Sequence, residues 1–163
     1  VYLQFKTIYH LCSHSFGAIF MLGMLKKYTV ELSPEVQGRL LNEKVPIPNY
    51  EINRCLIYGD EEFLDKVSTD LQGNFKFEKK AIKSNLPGNI FHEPKVQMYI
   101  TTEFNGDTHL LWFSNQDGIS INPLYVNYLN SINADLSQKE ESFWIDEPQN
   151  PEKSYQIYSI CRW

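Results

Sequence analysis

Cysteine is scarce in this chain of 163 residues: there are three, Cys12, Cys55 and Cys161. The count is odd, and no two have the spacing of a zinc knuckle or a redox pair. At most one disulfide could form, so the thiols are read as reduced and the chain as cytoplasmic. Basic residues are also in deficit, with 15 Lys and Arg against 20 Asp and Glu and a net charge of −5. A nucleic-acid binder needs a basic footprint to displace counterions, so that class is excluded. Long hydrophobic runs are missing as well. Residues 7–25 hold no Lys, Arg, Asp or Glu, but only Phe16 to Leu25 is densely apolar, which is too short to cross a bilayer. No small-residue cleavage site follows, so the stretch is read as a buried core helix rather than a signal peptide or membrane span. The first residue is Val rather than Met, which leaves room for a segment upstream. There is no phosphate-cradling glycine loop, dinucleotide fingerprint or EF-hand, and no repeat of 20–50 residues. No cofactor and no metal are expected.

What is present is core-forming material. Apolar residues make up 42 % of the chain and aromatics 14 %, which rules out an acidic disordered tail. The length suits one domain spanning 1–163. A helix is expected from about Thr7 to Tyr28 on the spacing of Ile8, Leu11, Cys12, Phe16, Ile19, Phe20 and Leu25. Ser33-Pro34-Glu35 predicts the start of a short second helix ending near Asn42. A strand over Ile52–Tyr58 precedes Gly59-Asp60, which caps a third helix, Glu61–Leu71, with Phe63, Leu64, Val67 and Leu71 as its stripe. Phe75 and Phe77 alternate in a strand whose neighbours Lys79, Lys80 and Lys83 protect a sheet edge. Val96, Met98, Ile100, Thr102 and Phe104 alternate with polar residues. Asn105-Gly106-Asp107 turns the chain, and Leu110–Ser114 and Ile119–Ile121 complete a meander. Asn122-Pro123 starts a fourth helix carrying Leu124, Tyr128, Leu129, Ile132 and Leu136, and a last strand runs from Tyr155 to Trp163. The expected fold is therefore α+β: a mostly antiparallel sheet with a central meander at about 96–121, packed by three or four helices including the buried N-terminal one.

Three groups of residues could carry chemistry. Ser13-His14-Ser15-Phe16-Gly17 resembles the nucleophile elbow of α/β-hydrolases, with Ser13 in place of the usual first Gly. A strained strand-to-helix turn needs small neighbours two before and two after the nucleophile, and Ser13 and Gly17 meet that demand. The resemblance covers Ile8 to Leu25 and implies Ser15 as nucleophile and the Phe16 N–H as oxyanion donor. Asp60 would then be the acid and His109 the base. The plain alternative is a helix in which Ser13 and Ser15 are incidental. His10 and His14 lie one helical turn apart, as metal-binding pairs do, with His92 or Asp60 as a conceivable third ligand. No second spaced pair supports a site, and two polar residues at the wetter end of a core helix is the preferred account. His92-Glu93-Pro94 is read as a loop.

Charge is the more informative feature. Asp135, Glu140, Glu141, Asp146, Glu147 and Glu152 face one base, Lys139, so residues 135–152 carry the whole imbalance of −5. Phe143 and Trp144 interrupt the acids. Acids around exposed aromatics steer and anchor a basic partner, unless both aromatics point into the core. The preferred function is a small acidic, non-enzymatic protein-binding domain. By size and charge, not by motif, it is compared with inhibitors and toxin-neutralising immunity proteins that occlude a basic surface. Asp135, Glu140, Glu141, Trp144, Asp146, Glu147 and Tyr155 are its expected contact residues. The partner would be a protein, such as a basic toxin domain, and neither nucleic acid nor membrane. The alternative is a serine hydrolase of esterase type using Ser15, Asp60 and His109.

Overall fold

Strands account for 60 % of the structure and helix for 7 %. The fold is taken from a computed structural model that describes residues 26–148 and 150–163. Among the described residues there are twelve strands: β1 (Tyr28–Ser33), β2 (Val36–Asn42), β3 (Val45–Pro46), β4 (Glu51–Tyr58), β5 (Glu61–Ser68), β6 (Asn74–Phe77), β7 (Lys80–Ser84), β8 (Lys95–Phe104), β9 (Asp107–Asp117), β10 (Ile132–Asp135), β11 (Glu141–Glu147) and β12 (Asn150–Ser159). One α-helix, α1 (Pro123–Leu129), and a 3₁₀ turn at Leu86–Gly88 are the helical elements among the described residues.

This corrects the α+β expectation of three or four helices on a sheet. The N-terminal helix lies outside the described residues as far as Leu25; of its expected last three residues, Lys26 and Lys27 are not helical and Tyr28 opens β1. The predicted helix after Ser33-Pro34-Glu35 is β2. Ser33 does not cap it: its hydroxyl donates to the Pro34 carbonyl at 2.8 Å and accepts from Arg54 at 3.1 Å. Val36, Gly38 and Leu40 face inward at period 2, and Gly38 is squeezed from both sides. A Cβ there would lie 2.6 Å from Phe75 Cζ and 2.7 Å from Ile132 Cβ.

The predicted helix 61–71 is β5. Gly59 at φ 60° and Asp60 form a two-residue hairpin turn, and β5 returns antiparallel against β4 from Tyr58↔Glu61 to Glu51↔Ser68. Phe63 and Val67 share the inner face, but Leu64 points the other way and Leu71 is 74 % exposed, so the supposed helical stripe never assembles. The fourth helix begins as expected, with Asn122 accepting from Leu124 N at 3.0 Å and Pro123 at its start. It stops at Leu129, and Ile132 and Ala134 then alternate in β10, which pairs parallel with β2. Ile119–Ile121 forms no strand: the Ile119 carbonyl accepts from Glu31 N at 2.8 Å. The meander is therefore the β8–β9 hairpin, turned by Asn105 and Gly106 at positive φ. Lys80 and Lys83 lie on β7, which pairs on one side with β1 and is an edge of that two-stranded sheet.

Three sheets result. The largest has six strands in the order β11-β12-β9-β8-β4-β5, all antiparallel neighbours. A second joins β10, β2, β3 and β6, and a third joins β1 and β7. The inner face of the six-stranded sheet supplies much of the core, with Ile52, Leu56, Tyr58, Ile100, Trp112 and Ile157 fully buried. Leu32, Leu40, Tyr125, Leu129 and Ile132 complete it from β1, β2, α1 and β10. A charge is buried among them. Arg54 donates twice to Asp65 Oδ2, at 2.7 and 3.1 Å, and to the Glu78 carbonyl at 2.9 Å. Its guanidinium lies 4.7 Å from the Phe77 ring centre, and Lys80 closes the other Asp65 oxygen at 2.7 Å. Each guanidinium nitrogen of this buried group thus donates to an acceptor, which is the condition for keeping a charge in a core.

Candidate protein-interaction surface

The acidic segment 135–152 folds as the end of β10, a connection, and the β11–β12 hairpin at the edge of the six-stranded sheet. Because it is strand, successive side chains go to opposite faces. Phe143 points inward onto Trp163 (5.9 Å between centres, 85°) and lies 5.5 Å from the Arg162 guanidinium carbon. Trp144, one residue on, points outward and is 63 % exposed. The two aromatics therefore have different fates.

The expected contact residues also divide. Asp135 is a turn clamp, accepting from Glu43 N, Lys44 N and Ser137 N and Oγ at 2.7–3.0 Å. Burial pushes its carboxyl up, but these hydrogen bonds outweigh that and hold it below the ordinary value. Glu141 pairs with Arg162 at 2.5 Å. Glu147 accepts from Tyr155 Oη at 3.3 Å and lies 4.0 Å from Lys153. Tyr155 turns its ring against Tyr125 at 5.9 Å on the core side. Glu140 is exposed just before β11, and Asp146 shares the outward face with Trp144. Glu140, Glu141, Trp144 and Asp146 are thus the members exposed to solvent, Glu141 while paired with Arg162.

The outward face of Trp144 continues across the whole sheet. Directly opposed residues link Ser142, Tyr158, Phe113, Tyr99, Cys55 and Leu64, one from each of the six strands. Tyr99 and Phe113 stand 4.6 Å apart, and Phe113 and Tyr158 stand 5.8 Å apart. All three rings and Cys55 are half-buried, and Leu64 is 68 % exposed. Burial, with Glu62 nearby, raises the Cys55 thiol above its ordinary value. Flanking this row are amides: Gln97 donates to Asn115 at 3.1 Å, and Gln156 sits opposite Trp144. Outward charges lie around the row, Glu51, Glu62, Glu103, Asp117 and Asp146 against Lys66 and Lys95. Lys66 is held by Glu51 at 2.7 Å and Lys95 stands 3.8 Å from Glu93. The border is net acidic.

Sequence reasoning missed this row because Gln97, Tyr99, Thr101 and Glu103 look like the wet side of an alternating strand. The available signal was Leu110-Leu111-Trp112-Phe113, an apolar run without alternation, which belongs to a strand that is apolar on both faces.

Of the three hydrolase residues, the two that are described, Asp60 and His109, are not brought together. Ser15 lies outside the described residues, as do Ser13, His10, His14 and Cys12. Asp60 sits in the β4–β5 turn beyond the Tyr58↔Val96 pair, and His109 faces Thr102. Six residues of β8 separate those two levels, about 20 Å at ~3.3 Å per residue. His92 is held by Tyr58 instead, Nε2 to Oη at 3.0 Å, beside a cavity of about 280 Å³ lined by Gly59, Asp60, Glu93 and Gln97. Among the described residues no three His, Cys, Asp or Glu side chains gather as a metal site, and no helix is long and apolar enough to cross a membrane.

The class defined so far is a β-rich domain with an aromatic, acid-bordered open sheet face. The chain belongs to the DUF6795 family, a domain of unknown function, whose model matches residues 36–139. That stretch runs from the first residue of β2 to Lys139, just before β11, and so contains β4, β5, β8 and β9 but not the acidic hairpin. No curated protein and no solved structure matches the chain.

Proposed function

We propose that this is a non-enzymatic protein-binding domain that covers a basic surface on its partner. The observation that carries it is Trp144: a large aromatic, 63 % exposed, on the outermost strand, with Asp146 on the same face and Glu140 close by. Exposed Trp residues are the side chains that most often dominate protein interfaces, and surrounding acids raise the association rate with a cationic surface. Free Cys55 and Cys161 support a reducing compartment, and with it the cytoplasm.

The test is kinetic. Proteins retained from the native source by the immobilised full chain are purified and their association rates measured at low and high ionic strength. A basic partner whose association slows with salt, and slows again on Glu140→Lys with Asp146→Lys, is the expected result. A partner whose rate ignores both sinks the proposal.

A further inference from the structure

Antiparallel sheets that face water on one side carry polar residues there. The six-stranded sheet departs from that rule. Its outer face presents Tyr158, Phe113, Tyr99, Cys55 and Leu64 in one unbroken row, the first four half-buried and Leu64 68 % exposed. A contiguous apolar row that remains partly open to solvent fits an interface. We infer that the whole outer face of this sheet, and not the acidic hairpin alone, is the docking surface for a basic protein partner. The inference rests on the proposed protein-binding function and extends its site from one edge strand to all six.

Size and charge both fit that occupant. Five inter-strand spacings of ~4.8 Å by a ten-residue strand of ~33 Å give about 800 Å², the area one partner buries in a standard interface. The centre is aromatic and amide-rich, as in the cores of such interfaces, and the border is net acidic. A second copy of this chain would bring a like-signed border against it, and its own net charge is −5. A cationic border on the partner removes that repulsion and speeds encounter.

Cys55 and Leu64 make the surface testable. Cys55 lies on β4, one strand in from the edge, and Leu64 lies on the edge strand β5, at the opposite side of the sheet from Trp144. In a Cys12→Ser background, buried Cys161 is the slow internal reference, and thiol labelling reports on Cys55. Each purified basic protein retained by the chain is then tested singly. The expected result has three parts. Cys55 reacts in the free chain, the bound partner protects it, and Leu64→Arg weakens binding by about tenfold, as a charge reversing the local match should. Unchanged thermal unfolding of Leu64→Arg shows that the loss is not misfolding. A partner that binds while Cys55 reacts at its free rate and Leu64→Arg is silent overturns this inference but leaves the hairpin site standing. Failure to retain any basic protein overturns the proposed function and this inference with it. Resistance of Cys55 to labelling in the free chain, monomer or dimer by sedimentation, shows the face already covered and overturns the inference alone.

Discussion

The two faces of the six-stranded sheet solve the same problem differently. On the inner face each large side chain finds partners within the chain. Trp112 is fully buried, donates to Ser114 at 2.8 Å and is ringed by Tyr125, Tyr128 and Trp163. Even a guanidinium is accommodated there, because Asp65, Glu78, Ser33 and Phe77 converge on it. On the outer face the rings touch one another across strands and stay only half-buried. Burial within the chain is therefore what holds the inner face, and the outer face is left with unspent apolar surface. The difference teaches that aromatic content does not by itself say where the core is.

Substitutions should separate the faces by size of effect. The largest loss is expected for Trp112→Ala, about 3–5 kcal/mol from the cavity and lost contacts, read by denaturant unfolding. Next is Asp65→Asn at about 3 kcal/mol, because it leaves Arg54 buried without its carboxylate. This one also carries a pH signature. Burial alone would raise the Asp65 carboxyl, but hydrogen bonds from Lys80 and Arg54 and their charges hold it below the ordinary value. Its contribution is therefore complete above the unfolded carboxylate pKa of about 3.9 and is lost as pH falls through the lower folded value. Acid unfolding of the wild type should show a loss there that Asp65→Asn lacks.

Gly38→Ala comes third at about 1–3 kcal/mol, since Phe75 and Ile132 occupy the space of the new methyl. Asp135→Asn follows at about 1 kcal/mol, through weakened hydrogen bonds to the Glu43–Lys44 turn. Smallest are Trp144→Ala and Leu64→Arg, which should leave stability within about 0.5 kcal/mol. A Trp144→Ala loss as large as that of Trp112→Ala would erase the contrast between the faces.

Several elements were legible in the residues alone. Strand β4, the β8–β9 hairpin with its Asn105-Gly106 turn, and the Asn122 cap of α1 all follow from local chemistry. Misread segments share a cause. In 36–42, 61–68 and 132–135 apolar residues recur at spacings that fit both a helix and a strand. Phe63, Leu64 and Val67 sit on one helical stripe if the segment stands alone. Once β4 offers a ladder of hydrogen bonds, period 2 wins and Leu64 is turned to solvent. The candidate surface was legible in part. The charge imbalance singled out 135–152, but only strand pairing shows that Phe143 and Trp144 part company, or that Asp135, Glu141 and Glu147 are engaged within the chain.

By itself, then, the sequence determined the acidic balance, the reserve of aromatics, the scarcity of cysteine and the turns that need positive φ, because these are properties of composition and of single residues. Tertiary structure alone decided which apolar residues became core. Tyr158, Phe113, Tyr99, Cys55 and Leu64 are scattered over 104 positions of the chain, from 55 to 158, and no local pattern joins them. They became one surface because antiparallel pairing places opposed residues on the same face about 5 Å apart, whatever their separation in sequence.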